Sequence, residues 1–148
     1  MRSQVINKSL RYIIFSILLL YSLNTVAQIK SVGTPFIKNY TRLDYHAGQQ
    51  NWMIDQAEDG RMYFANNDGL LEFDGFNWNL SPLPKGILVR SVFVSVDGRI
   101  YTGGFNEFGY FEPDSIGQLV YHSLLELLKP EDRNFDEIWR IHNTPDGL

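Results

Sequence analysis

The chain contains no cysteine. It therefore has no disulfide framework, no thiolate nucleophile, no cysteine-ligated zinc and no lipid-bearing cysteine behind a leader. Histidine is scarce, and His46, His122 and His142 show neither an i, i+4 pair nor a carboxylate at matching spacing. No metal site and no cofactor are expected from them. No apolar run reaches the ~20 residues that span a bilayer as a helix. Basic clusters are also missing, and the charge is lopsided. All 17 acidic residues follow Gln28, whereas Arg2, Lys8 and Arg11 precede it out of 13 basic residues, so the part from Gln28 onward carries a net charge of −7 with His neutral. That excludes a nucleic-acid surface, whose affinity comes largely from neutralising phosphates.

What is present begins with a leader pattern. Arg2, Lys8 and Arg11 form a positive start, Tyr12 to Leu23 form an apolar run, and Thr25 and Ala27 occupy the −3 and −1 positions. This pattern predicts a signal peptide over residues 1–27, cleaved after Ala27, and an exported, periplasmic mature protein. The remainder is balanced as a globular protein is, the whole chain being 44% hydrophobic and 20% charged.

The rest of the chain repeats itself. Aligned on Asp-Gly pairs, "NWMIDQAEDGRMYFANNDGLLEFDG", "VRSVFVSVDGRIYTGGFNEFGYFEPD" and "IWRIHNTPDGL" fall into register, with 38 residues from Asp59 to Asp97 and 49 from Asp97 to Asp146. Trp52, Arg90 and Trp139 stand seven residues before the Asp of each pair; Ile54, Val92 and Ile141 stand five before it. The pairs Asp59-Gly60, Asp97-Gly98 and Asp146-Gly147 are read as structural turns whose residues take the φ > 0 positions of a tight hairpin. Each complete unit then reads as four short strands, with Asn106 to Phe108 lengthening the middle turn of the second.

Four strands per ~40 residues predict an all-β fold of propeller blades, each a four-stranded antiparallel sheet. The expected organisation is a lead-in segment over 28–47, blades over 48–84 and 85–122, a short helix and linker over 123–137, and the start of a third blade over 138–148. The helix is predicted because Ser123 and Glu126 fit a capping box and Pro130 stops the leucine-rich run. About four to eight blades close a propeller, so the chain is expected to be the N-terminal part of a longer protein.

The two complete units resemble the short repeats of the two-component regulator propeller family, which place an Asp-Gly turn before an apolar-aromatic strand and a Gly-Leu pair. The second unit departs from this by having Phe108-Gly109-Tyr110 in place of Gly-Leu. "PFIKNYTRLDYHAGQQNWMIDQ" is similar to the segment that leads into the large periplasmic sensors of that family, common in Bacteroidetes. The resemblance implies an extracytoplasmic ligand-sensing region, with carbohydrate as the ligand. It further implies a downstream immunoglobulin-like domain, a membrane helix and a cytoplasmic kinase or DNA-binding output. Membrane attachment would come only through that downstream part, and a homodimer of the parent remains open.

The candidate ligand contacts are Asn106 and Glu107, at the tip of the Thr102–Gly109 loop, and Trp78, on a predicted outer strand. Trp52 and Trp139 are read as blade-to-blade packing. The glycine-rich loop is read as a plain turn, because a strand follows it where a phosphate cradle needs a helix N-terminus. No acid, base or nucleophile set is legible, so the segment is not read as an enzyme. The alternatives are a secreted glycan-active enzyme on a propeller scaffold and a protein-binding propeller.

Overall fold

The computed structural model describes residues 8–22, 33, 36–144 and 147. The chain divides into two units, Met1–Ile37 and Lys38–Leu148. Among the described residues the first unit holds one helix, α1 (Lys8–Ser22), whose apolar side chains include the exposed Tyr12 and Phe15. Among the described residues no helix is long and apolar enough to cross a membrane. Ala27 and the expected cleavage point lie outside the described residues.

The second unit is all-β apart from α2 (Arg42–Tyr45) and isolated 3-10 turns. The Asp44 carboxylate starts α2 by accepting the Thr41 backbone N–H at 2.6 Å and its hydroxyl at 2.7 Å. Two four-stranded antiparallel sheets follow. The first runs β1 (Asn51–Gln56), β2 (Met62–Asn66), β3 (Gly69–Phe73) and β4 (Trp78–Ser81); the second runs β5 (Val89–Val94), β6 (Ile100–Gly104), β7 (Glu107–Pro113) and β8 (Leu119–Ser123). Strand order follows chain order in both, so each is a simple meander.

The first hairpins of both sheets close identically. The Gly60 N–H donates to Ala57 and the Gly98 N–H to Ser95, each at 3.0 Å, and both glycines have positive φ, +91° and +86°. Asp59 and Asp97 do not share that conformation. Their carboxylates instead accept the backbone N–H two residues on, from Arg61 at 3.1 Å and Arg99 at 3.2 Å. The turn thus uses a glycine for its left-handed residue and an aspartate for its hydrogen bond. Gly147 also has positive φ and pairs with Thr144, while Asp146 lies outside the described residues.

Two further sequence expectations need correction. The middle turn is not longer in the second sheet, since Asn66 pairs with Gly69 and Gly104 with Glu107, leaving two turn residues each time. The added length sits in β7, which runs two residues further than β3. The segment after β8 forms no α-helix but two 3-10 turns, Leu125–Leu127 and Pro130–Asp132. Pro130 disfavours helical backbone at Lys129, which is extended at ψ 149°, so too few residues remain for successive i to i−4 bonds. The Ser123 hydroxyl accepts the Leu125 N–H at 3.3 Å while donating to Glu107 on the neighbouring strand at 2.7 Å, so it is the short run that prevents the helix.

The sheets pack through non-equivalent faces. Residues opposite one another in a ladder share a face, and alternate residues along a strand do too. Tyr63, Ala65 and Leu70 of the first sheet therefore point one way, and they form one buried cluster with Val92, Ile100 and Phe111 of the second. In repeat register Tyr63 corresponds to Tyr101, yet Tyr101 lies on the opposite face of its sheet from Ile100. The arrangement is head to tail, and the face of the second sheet carrying Tyr101 and Tyr110 stays on the far side. Asp55 reinforces the packing by accepting the Val94 N–H across the sheets at 2.7 Å.

Burial pushes the Tyr63 hydroxyl up to about 12, with the Glu72 carboxylate beside it adding to the shift. The turn aspartates move the other way. Asp59 is held low by the Arg61 N–H and guanidinium, and Asp97 by the Ser95 hydroxyl and the Arg99 N–H. Such carboxyls favour folding wherever pH exceeds the ordinary aspartate value of about 3.9, and the contribution disappears as pH falls through their lowered values. The thermal midpoint should be flat down to about pH 5 and fall below about pH 4. In an Asp59→Asn, Asp97→Asn double variant the acid limb should be shallower, as read by circular dichroism melts across pH.

Candidate functional site

The first strand of each sheet carries a β-bulge at the same repeat position. Pairing shifts between Asn51 and Met53 in β1 and between Val89 and Ser91 in β5, so Trp52 and Arg90 are the extra residues. A bulge re-aims the side chain it carries, and here both are delivered to one place. The Arg90 guanidinium lies over the Trp52 ring, 4.2 Å from its centroid, and 5.2 Å from that of Trp139. The two indoles meet edge to face at 5.5 Å. Three residues of one repeat column, 38 and 49 residues apart, thus form a single cluster.

Polar groups fix this cluster. Arg90 donates from Nε to Glu137 at 2.9 Å and from Nη1 to the Asn67 side-chain oxygen at 3.4 Å. The same oxygen accepts Trp52 Nε1–H at 2.7 Å. Trp139 is positioned by its neighbour Ile138, whose N–H donates to Gly104 at 3.1 Å and whose carbonyl accepts the Ser91 hydroxyl at 2.8 Å. Ile138 fits because position 103 lacks a side chain; a Cβ there would lie 2.6 Å from Ile138 Cγ2. Arg90 is largely enclosed, its side chain 12% exposed, while Trp52 and Trp139 remain 37% and 51% exposed. The cluster offers open indole surface edged by an amide and a carboxylate, which suits stacking with hydrogen bonding at the rim.

The structure puts the three sequence candidates in separate surroundings. Asn106 sits in the turn between β6 and β7 with φ 51°, and its side chain clamps the downstream segment, accepting the Phe135 N–H at 2.7 Å and donating to Asn134 at 3.3 Å. Glu107 is buried at the start of β7, accepting hydroxyls from Tyr121 at 3.1 Å and Ser123 at 2.7 Å. Burial, with this carboxylate nearby, raises the Tyr121 hydroxyl well above the ordinary phenol value. Trp78 stacks on Phe73 at 4.4 Å and meets Tyr40, Tyr45 and Phe64, so it closes the outer face of the first sheet under the lead-in segment.

An open cleft of about 450 Å³ lies between the outer strands, lined by Glu72, Ser81, Phe111, Gln118 and Tyr121 among others. Two of its polar groups are already engaged, Glu72 with Arg61 and Tyr121 with Glu107. Among the described residues no three His, Asp or Glu side chains are grouped to hold a metal ion. Arg90, Asn67 and Glu137 were not legible as site residues individually. The repeat column containing Trp52, Arg90 and Trp139 was the available signal, and only the paired bulges reveal that its members meet. No protein-family model, curated protein or solved structure matches the chain.

Proposed function

We propose that residues 38–148 are the opening blades of a β-propeller, within the extracytoplasmic sensor region of a two-component or one-component regulator. In this reading the Trp52–Arg90–Trp139 cluster contacts an oligosaccharide ligand. The observation that carries it is the convergence of equivalent repeat positions through matched bulges on the first strand of each sheet. In a propeller the first strands of successive blades stand around the central channel, where equivalent side chains collect. Head-to-tail stacking supports the same reading, because it leaves the far face of the second sheet ready for another blade. The leader pattern supports export, and the carbohydrate comes from the family resemblance.

The test is titration of the full-length protein with a panel of oligosaccharides, followed by tryptophan fluorescence and calorimetry. A bound sugar should quench or shift the indole emission. Trp139→Ala should weaken binding about tenfold or more, the effect of removing an aromatic anchor worth about 1.4 kcal/mol or above. Trp78→Phe should leave affinity unchanged. Absence of heat and of any spectral change across the panel would remove the ligand assignment.

A further inference from the structure

Resting on the oligosaccharide reading, we infer that the Trp52–Trp139 site selects uncharged sugars and discriminates against uronic-acid or sulfated ones. The cluster has one cation, and the fold has already committed it. Arg90 lies over both indoles, 4.2 Å and 5.2 Å from their centroids, and donates to both Glu137 and Asn67. At 12% exposure it has little surface left for a ligand carboxylate, which would have to displace that of Glu137. Arg140, beside Trp139, lines a separate cleft with Tyr101, Phe108 and Ile141.

The remaining charge around the indoles is negative. Glu137 is partly exposed, and its N–H is held by the exposed Asp136 at 2.9 Å; Asp68 shares the two-residue turn that presents Asn67. A neutral sugar can lay its C–H face on the rings and donate a hydroxyl to the Glu137 carboxylate. An anionic sugar offers that acceptor a like charge, and like-charge juxtaposition is among the strongest ways to reject a partner.

The experiment compares neutral and uronate oligosaccharides of equal length by tryptophan fluorescence titration of the full-length protein, and repeats both with Glu137→Gln. The wild type should bind the neutral ligand at least tenfold more tightly. In Glu137→Gln the gap should narrow to about threefold or less, because the variant leaves the guanidinium without its counter-charge and removes the carboxylate that opposes an anionic sugar, while keeping side-chain shape. Uronate binding by the wild type at equal or higher affinity overturns the selectivity and leaves the carbohydrate reading standing. Failure of both ligands to bind overturns that reading and the selectivity with it. The wild-type comparison decides even if the variant proves poorly folded.

Discussion

Replacing Phe111 by alanine is expected to cost about 3 kcal/mol, the lower part of the 3–5 kcal/mol range for a buried phenylalanine. Phe111 is 1% exposed, stands opposite Ile100 and Tyr121, and belongs to the cluster that joins the two sheets. The figure sits at the low end because Phe111 also borders the cleft of about 450 Å³, so the space left by the ring opens to solvent instead of persisting as a sealed void. Against a total stability of about 5–15 kcal/mol the loss is large, and the thermal midpoint should drop by roughly 10–20 °C. Urea unfolding of both variants provides the measurement. Phe76→Ala is the control, since that ring is 91% exposed and its removal should change stability by no more than about 0.5 kcal/mol. If the two variants unfold alike, the sheets do not derive their stability from the head-to-tail packing described above.

The contrast between these phenylalanines also marks what the sequence could reveal. Period-two alternation and Asp-Gly turns locate all eight strands to within a few residues, because strand pairing and turn closure are local. Which face of a strand meets a neighbour is decided by packing between sheets. Phe76 and Phe111 both sit in or next to strand-like runs, yet one is in solvent and the other sealed. The turns show the same limit at finer scale: Asp-Gly marks the hairpin, but only coordinates assign the positive φ to Gly60 and the N–H acceptor to Asp59. The leucine-rich run after Ser123 fails for a third reason. Its helical pattern is real but too short before Pro130, even though the Ser123 hydroxyl still accepts the Leu125 N–H. At the site, the repeat column names Trp52, Arg90 and Trp139, whereas Asn67 and Glu137 join only through tertiary approach.

Arg90→Ala should be the most damaging single change at the cluster, lowering stability by about 2–4 kcal/mol. Two cation–π contacts of about 0.5–2 kcal/mol each disappear. Glu137, 20% exposed, loses its guanidinium partner, and stranding one member of a partly enclosed pair adds further cost, though less than full burial would impose. Arg90→Lys should recover only part of this, since an ammonium lacks the planar fork that lies over the indoles while donating to Glu137 and Asn67. A double-mutant cycle of Arg90→Ala with Glu137→Ala should return a coupling of about 1 kcal/mol. The effect should also be local. Trp139 reaches Trp52 with Arg90 stacked against both rings, so losing the guanidinium should erase the near-ultraviolet circular dichroism of two indoles 5.5 Å apart. It should also increase proteolysis around residues 137–142. Loss of that signal without faster cleavage would mean that Ile138, held by Ser91 and Gly104, anchors the segment unaided. Arg90 would then orient the ring without holding the chain, a separation that global unfolding measurements cannot make.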